Sequence, residues 1–144
     1  MITIILSSLL VLLFTFLGGI HFYWLFGGKW GVHKVIPTKA NEATAFETPP
    51  IATFMVGMIL FSFGLIYFLK LNLFIPPVSE EILRYGYWGI PFIFILRAIG
   101  EFNYVGFFKR VRGTEFAEAD TKFFSPLCLG VGVIGLMIEV VKYI

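Results

Sequence analysis

Two charged residues lie inside a segment that otherwise has the composition of a membrane-spanning helix. The segment from Tyr85 to Phe108 is apolar and aromatic, yet it contains Arg97 and Glu101 four positions apart. A charged side chain at the centre of a bilayer costs at least ~2.5 kcal/mol, so such residues usually face the interior of a bundle and mark a functional site. The pair is therefore the first place to look for chemistry.

Three more residues complete the candidate ligand-binding set. On a continuous helix Arg97, Glu101 and Tyr104 share one face, since positions i, i+4 and i+7 align. His21, followed by Trp24, lies near the end of an earlier apolar segment and at a similar depth. We expect Arg97 to hold an anionic group, while His21 and Glu101 orient that group or exchange a proton with it.

Each of these signals also has a purely structural interpretation. An Arg–Glu pair one helical turn apart can be a private ion pair that fixes helix packing. His21, close to Trp24, can anchor its helix at the membrane surface. Glu139 and Lys142, near the end of the chain, are expected to reach the other membrane surface.

No recognisable catalytic signature occurs in the chain. It contains no Walker loop, no H-E-x-x-H motif and no C-x-x-C motif, and it points to no particular cofactor. The two histidines lack a close carboxylate pair, so we expect no metal site. An enzyme acting on a lipid-soluble substrate would have to use His21 and Glu101 as acid and base, with Arg97 stabilising charge.

The composition indicates that lipid is the solvent. The 144 residues are 58% hydrophobic and only 14% charged, whereas a soluble domain has about 25% charged residues. The net charge of +2 is small. We expect membrane lipids and a small anionic ligand as partners, and no nucleic acid.

Four apolar segments are long enough to cross a bilayer, which takes roughly 20 residues. They predict an all-α membrane protein, a single domain over residues 1–144 with four transmembrane helices in one bundle. Thr48 and Ser125 precede prolines and are predicted to cap the second and fourth helices. The predicted spans cover residues 2–25, 50–70, 85–108 and 125–142.

The orientation follows from the lysines and arginines of the connections. The first and third connections carry seven of these residues, whereas the termini and the second connection carry three. We therefore expect both termini on the extracytoplasmic side. The seven are Lys29, Lys34, Lys39, Lys109, Arg110, Arg112 and Lys122, and the three are Lys70, Arg84 and Lys142.

The third connection has two parts. Residues 109–112 are basic and are expected to bind lipid headgroups. In the acidic part, Phe116, Ala117 and Asp120 fall on one helical side, which predicts a short surface helix over residues 114–122.

Three blocks of the sequence resemble a family of small bacterial membrane proteins, domain of unknown function 3995. The resemblance covers nearly the whole chain and implies a four-span fold in the bacterial inner membrane, without an assigned activity. The blocks are IHFYWLFGGKWG at residues 20–31 with VIPT at 35–38, RAIGEFNYVGFFKR at 97–110, and FA, DT and FSPLC at 116–117, 120–121 and 124–128.

Three functions remain in competition. The leading one is binding of a lipid or small anionic molecule at a polar site in the cytoplasmic half of the bundle. Transport belongs to the same hypothesis, but four short helices leave little room for an aqueous path, so a transporter would need a homo-oligomer. The alternatives are the membrane-embedded enzyme and a structural or assembly subunit.

Overall fold

The computed structural model describes residues 1–37, 48–73 and 75–144. Within these residues, four helical stretches are long and apolar enough to cross a membrane, which confirms the predicted all-α fold with four spanning helices. The spanning helices are α1 (Ile2–Leu25), α3 (Pro50–Leu69), α4 (Glu80–Ile99) and the stretch Glu115–Val140.

Short elements connect these helices. A single-turn helix, α2 (Val32–Val35), lies in the first connection, of which residues 38–47, including Lys39, fall outside the described residues. The fourth stretch consists of α5 (Glu115–Ala119), a π-helical turn (Asp120–Phe124) and α6 (Ser125–Val140).

The bundle is built from two antiparallel pairs, α1 with α3 and α4 with α6, which meet at a central apolar core. The ring of Phe14 on α1 lies 6.0 Å from that of Tyr67 on α3 and 5.4 Å from that of Phe94 on α4. Ile90 and Val131 fill the same core from the second pair. Apolar side chains on the outer faces of all four helices are exposed, as expected for contact with lipid.

Glycines allow α4 and α6 to approach closely. A Cβ added at Gly132 would lie 2.5 Å from Cγ1 of Ile95, and one at Gly135 would lie 2.4 Å from Cγ of Pro91. Small residues at such contacts let membrane helices pack backbone against backbone.

The third spanning helix differs from its predicted range of residues 85–108. It begins earlier, at Glu80 after Ser79, and it ends at Ile99. The reason lies in Gly100, whose positive φ of 90° carries the chain out of the helix. Glu101 therefore lies beyond the helix.

The predicted capping role of Ser125 is also wrong, because the helix already begins ten residues earlier in the chain, at Glu115. Thr114 is the actual cap, and its Oγ1 accepts a hydrogen bond at 3.0 Å from the amide of Ala117. The chain then continues through the π-helical turn into α6 without a break. The amides near Ser125 are consequently not free to bind an anion.

A buried ion cluster closes the end of the bundle where α3 and α6 end and α4 begins. The carboxylate of Glu139 pairs with Lys70 and, at 3.3 Å, with Lys142. The Lys70 ammonium also lies 3.6 Å from the centroid of the Tyr87 ring, a cation–π contact. Glu139 is buried rather than at the membrane surface, since these partners offset the cost of its desolvation.

Candidate functional site

The chain turns sharply where α4 ends, and this turn forms one wall of the site. Gly100 has φ 90° and ψ −179°, a backbone conformation open almost only to glycine. Gly106 packs against the same turn so closely that an added Cβ would lie 2.3 Å from the carbonyl oxygen of Ile99. The amide of Phe107 donates to the carbonyl of Ala98 at 2.8 Å. The segment after α4 therefore folds back onto the last turn of that helix.

Asp120 is at the centre of the site, and its carboxylate is fully buried. Oδ1 accepts a hydrogen bond from Nη2 of Arg97 at 2.9 Å. Oδ2 accepts from Nζ of Lys109 at 2.9 Å, from the amide of Gly106 at 2.8 Å and from Oγ of Ser125 at 3.1 Å. A buried carboxylate is stable only when it is paired and hydrogen-bonded. Here it joins α4, the segment after it and the start of α6.

The π-helical turn explains how Asp120 and Ser125 come together. They are five residues apart, and residues at that spacing lie one above the other in a π-helix, which has i→i+5 hydrogen bonds. In an α-helix they would point in different directions. Single π-helical turns occur frequently at functional sites, and this one forms the base of the charge cluster.

Lys109 is buried, and all hydrogen-bond donors of its ammonium are used within the protein. Nζ donates to Oδ2 of Asp120, to the carbonyl of Gly106 at 2.9 Å and to Oγ1 of Thr121 at 2.7 Å. An ammonium has three donors, so none remains for a ligand. The expectation that Lys109 contacts lipid headgroups is therefore wrong, because Asp120 draws it into the protein.

Arg97 has donor capacity left. Nη2 is fixed by Asp120, but Nη1 is buried and has no hydrogen-bond partner among the described residues. One third of the side chain, 33%, is exposed. A guanidinium carries five N–H donors in a planar fork that suits carboxylate and phosphate oxygens. Arg97 is therefore the group of this cluster that can take a further acceptor.

The predicted pairing of Arg97 with Glu101 is wrong. Because α4 ends at Ile99, the two residues do not share a helical face, and Arg97 pairs with Asp120 instead. The Glu101 carboxylate accepts hydrogen bonds from the amides of Tyr104 and, at 3.2 Å, Val105. Glu101 therefore stabilises the turn after α4.

His21 and Trp24 lie together near the C-terminal end of α1. Nδ1 of His21 is 2.8 Å from the carbonyl oxygen of Leu17, and its ring packs edge-on against Trp24 with centroids 5.1 Å apart. Nε1 of Trp24 donates to the carbonyl of Trp30 at 2.8 Å. Among the contacts of the described residues, none joins His21 to Arg97 or to Glu101.

The buried charge cluster itself carries a net positive charge. Arg97 and Lys109 carry two positive charges against the single negative charge of Asp120. Arg112 lies in the same segment and donates a hydrogen bond from Nε to the backbone carbonyl of Lys109 at 3.4 Å. Partly buried charges are screened less than surface charges, so this excess of positive charge would attract an anion near the cluster.

Sequence reasoning missed Asp120 as the partner of Arg97, although signals for it existed. Asp120 falls on the same helical side as Phe116 and Ala117, and both of those side chains are buried. Gly100 after a segment ending in Arg97 is typical of a helix terminus. Together, these two signals would have predicted Asp120 rather than Glu101 as the partner of Arg97.

Comparison with known proteins identifies the family but not an activity. No curated protein and no solved structure matches the chain. A family model described as "Protein of unknown function (DUF3995)" matches residues 14–135. The three sequence blocks that carry the resemblance all lie within this range, and the matched part includes Arg97, Lys109 and Asp120. The chain therefore belongs to the DUF3995 family, a family of unknown function.

Proposed function

We propose that this multi-pass membrane protein binds an anionic group, a phosphate or carboxylate, at the guanidinium of Arg97. The observation that carries the proposal is the buried Nη1 donor, which has no partner among the described residues while Nη2 is fixed by Asp120. A buried donor without an acceptor costs about 1–3 kcal/mol. An oxygen of a bound anion would supply the acceptor.

The other charged residues of the cluster would then have supporting roles. Asp120 holds one edge of the guanidinium, so that the group is pre-oriented before a ligand arrives. Lys109 neutralises the buried carboxylate, which leaves the charge of Arg97 available to the ligand. Lys109 would do this without contacting the ligand itself, because its three donors are already used within the protein.

We also infer that this site faces the cytoplasm across a bacterial inner membrane, with both chain termini outside. The support is the excess of lysine and arginine in the first and third connections, seven against three. The Arg97 site lies at the end of α4 that leads into the third connection.

Native mass spectrometry of protein extracted in a mild detergent tests the proposal. We expect an anionic lipid or metabolite to be retained by the wild type and by Lys122→Gln, and to be lost in Arg97→Gln. Lys122 is a matched control because it lies two residues from Asp120, is largely exposed and forms a salt bridge with the exposed Glu118.

The Arg97→Gln variant should still fold. Asp120 keeps its contacts with Lys109, the Gly106 amide and Ser125, so the carboxylate is not left unpaired. Equal retention of an anionic molecule by the wild type and Arg97→Gln would overturn the proposal. Co-purification of protein partners alone would instead favour the assembly-subunit hypothesis.

A further inference from the structure

The surroundings of Arg97 indicate from which side a ligand approaches. Ile93 lies one turn earlier on the same face of α4 and is 53% exposed, and Leu96 beside Arg97 is 65% exposed. Exposed aliphatic side chains on a spanning helix contact acyl chains. The exposed part of Arg97 therefore borders the lipid-facing surface of α4.

The segment after α4 has the composition of a membrane interface. Phe102 and Phe108 are both exposed, and their ring centroids lie 6.5 Å apart. Arg110 and Arg112 are exposed in the same segment. Aromatic rings and basic side chains are enriched at headgroup depth, so this segment places Arg97 just below the headgroups.

These features suit a ligand with one anionic end and one apolar end. A phosphate held by Arg97 would have the exposed surface of Ile93 and Leu96 on its apolar side. The exposed Arg110 and Arg112 follow α4 in the chain and add positive charge to its polar surroundings. A soluble anion would use the charges and gain nothing from the aliphatic surface. A lipid would use both, and acyl contact contributes about 0.8 kcal/mol for each buried methylene group.

We propose that the Arg97 site takes the phosphate of an anionic phospholipid, which enters sideways from the bilayer along the lipid-facing surface of α4. This inference rests on the proposed function, since it names the class of molecule that carries the anionic group. The shared chemistry is a phosphate oxygen against the guanidinium. Free phosphate is the competing source, and a pair of probes distinguishes the two.

The test is a titration of the purified, detergent-solubilised protein with short-chain phosphatidylglycerol and, separately, with inorganic phosphate. We expect Arg97→Gln to weaken phosphatidylglycerol binding by about tenfold or more, the loss of a charge-assisted hydrogen bond. We expect Leu96→Ala to weaken it about fivefold through lost chain contact. Leu65→Ala is the matched control, since Leu65 is a similarly exposed leucine on α3.

The outcomes separate the two proposals. Loss of phosphatidylglycerol binding in Arg97→Gln and Leu96→Ala, but not in Leu65→Ala, supports lateral binding of a lipid. If inorganic phosphate binds through Arg97 as tightly as the lipid, and Leu96→Ala changes neither affinity, the lipid inference fails while anion binding stands. If neither probe depends on Arg97, both proposals fail together.

Discussion

Arg97 donates a hydrogen bond from Nη2 to Oδ1 of Asp120 at 2.9 Å, and this contact connects the end of α4 to the π-helical turn before α6. The partner lies 23 residues away in sequence. The contact therefore fixes the geometry between two spanning helices, which a pair within one helix could not do. It also leaves one edge of the guanidinium without a partner in the described part of the chain, and the proposed function depends on that edge.

Replacing Asp120 should destabilise the protein strongly. Asp120→Ala leaves Lys109 buried beside Arg97 without a compensating carboxylate, and breaking a buried pair in this way costs about 3–5 kcal/mol. We expect a large loss of thermal stability in detergent. Glu118→Ala, which removes an exposed carboxylate two residues earlier, should lie close to the wild type. Similar stability of the two variants would argue against a structural role of the cluster.

The turn after α4 should not tolerate a side chain at Gly106. An added Cβ would lie 2.5 Å from Cα of Gly100 and would sit on a residue with φ 90°. We expect Gly106→Ala to displace the Gly106 amide from Asp120 and to lower the yield of folded protein. Gly130→Ala is the control, because an added Cβ there meets nothing within 4 Å. Comparable size-exclusion profiles and stabilities for both variants would contradict the close packing.

At the opposite end, Glu139 should matter more than its position near the chain terminus indicates. Glu139→Ala leaves the ammonium of Lys70, whose side chain is only 7% exposed, without its carboxylate. We expect a loss of about 3–5 kcal/mol. Glu80→Ala, at an exposed position of the same end, should change stability by less than about 0.5 kcal/mol. Denaturation of both variants in mixed detergent micelles measures the difference.

Cysteine labelling tests the orientation. Cys128 is the only cysteine and is buried, so introduced thiols can be followed against a low background. We expect Ile2→Cys to react with an impermeant maleimide added outside intact cells, and Ile36→Cys to react only after lysis. The opposite pattern would place both termini in the cytoplasm.

The four spanning helices were predictable because composition decides them. A run of about 20 apolar residues has few alternatives to a membrane helix, and the segments of α1 and α3 contain no charged residue at all. What composition could not decide was where α4 ends. Gly100 lies between Ile99 and Glu101 in a mostly apolar segment, and the apolar residues that continue to Phe107 and Phe108 extended the predicted span beyond the turn.

The partners of the charged residues were harder to predict than the residues themselves. Arg97 was predicted to be a site residue because placing its charge in an apolar segment costs free energy. The burial of Asp120 was not predicted because this residue lies in an acidic stretch, which is typical of a solvated surface. The burial of Lys109 was not predicted because this residue begins a basic cluster. Their burial depends on contacts between segments that are distant in sequence. Local periodicity indicates such contacts only weakly, as in the shared helical side of Phe116 and Asp120.

The most direct test of anion binding at Arg97 is a titration of thermal stability with inorganic phosphate at constant ionic strength. A ligand that binds only the folded state raises stability as its concentration rises past the Kd. We predict that phosphate raises the Tm of the wild type and of Lys122→Gln, while the Tm of Arg97→Gln stays constant. An equal rise in all three proteins, or no rise in the wild type with either inorganic phosphate or short-chain phosphatidylglycerol, would contradict the assignment of Arg97 as the anion-binding residue.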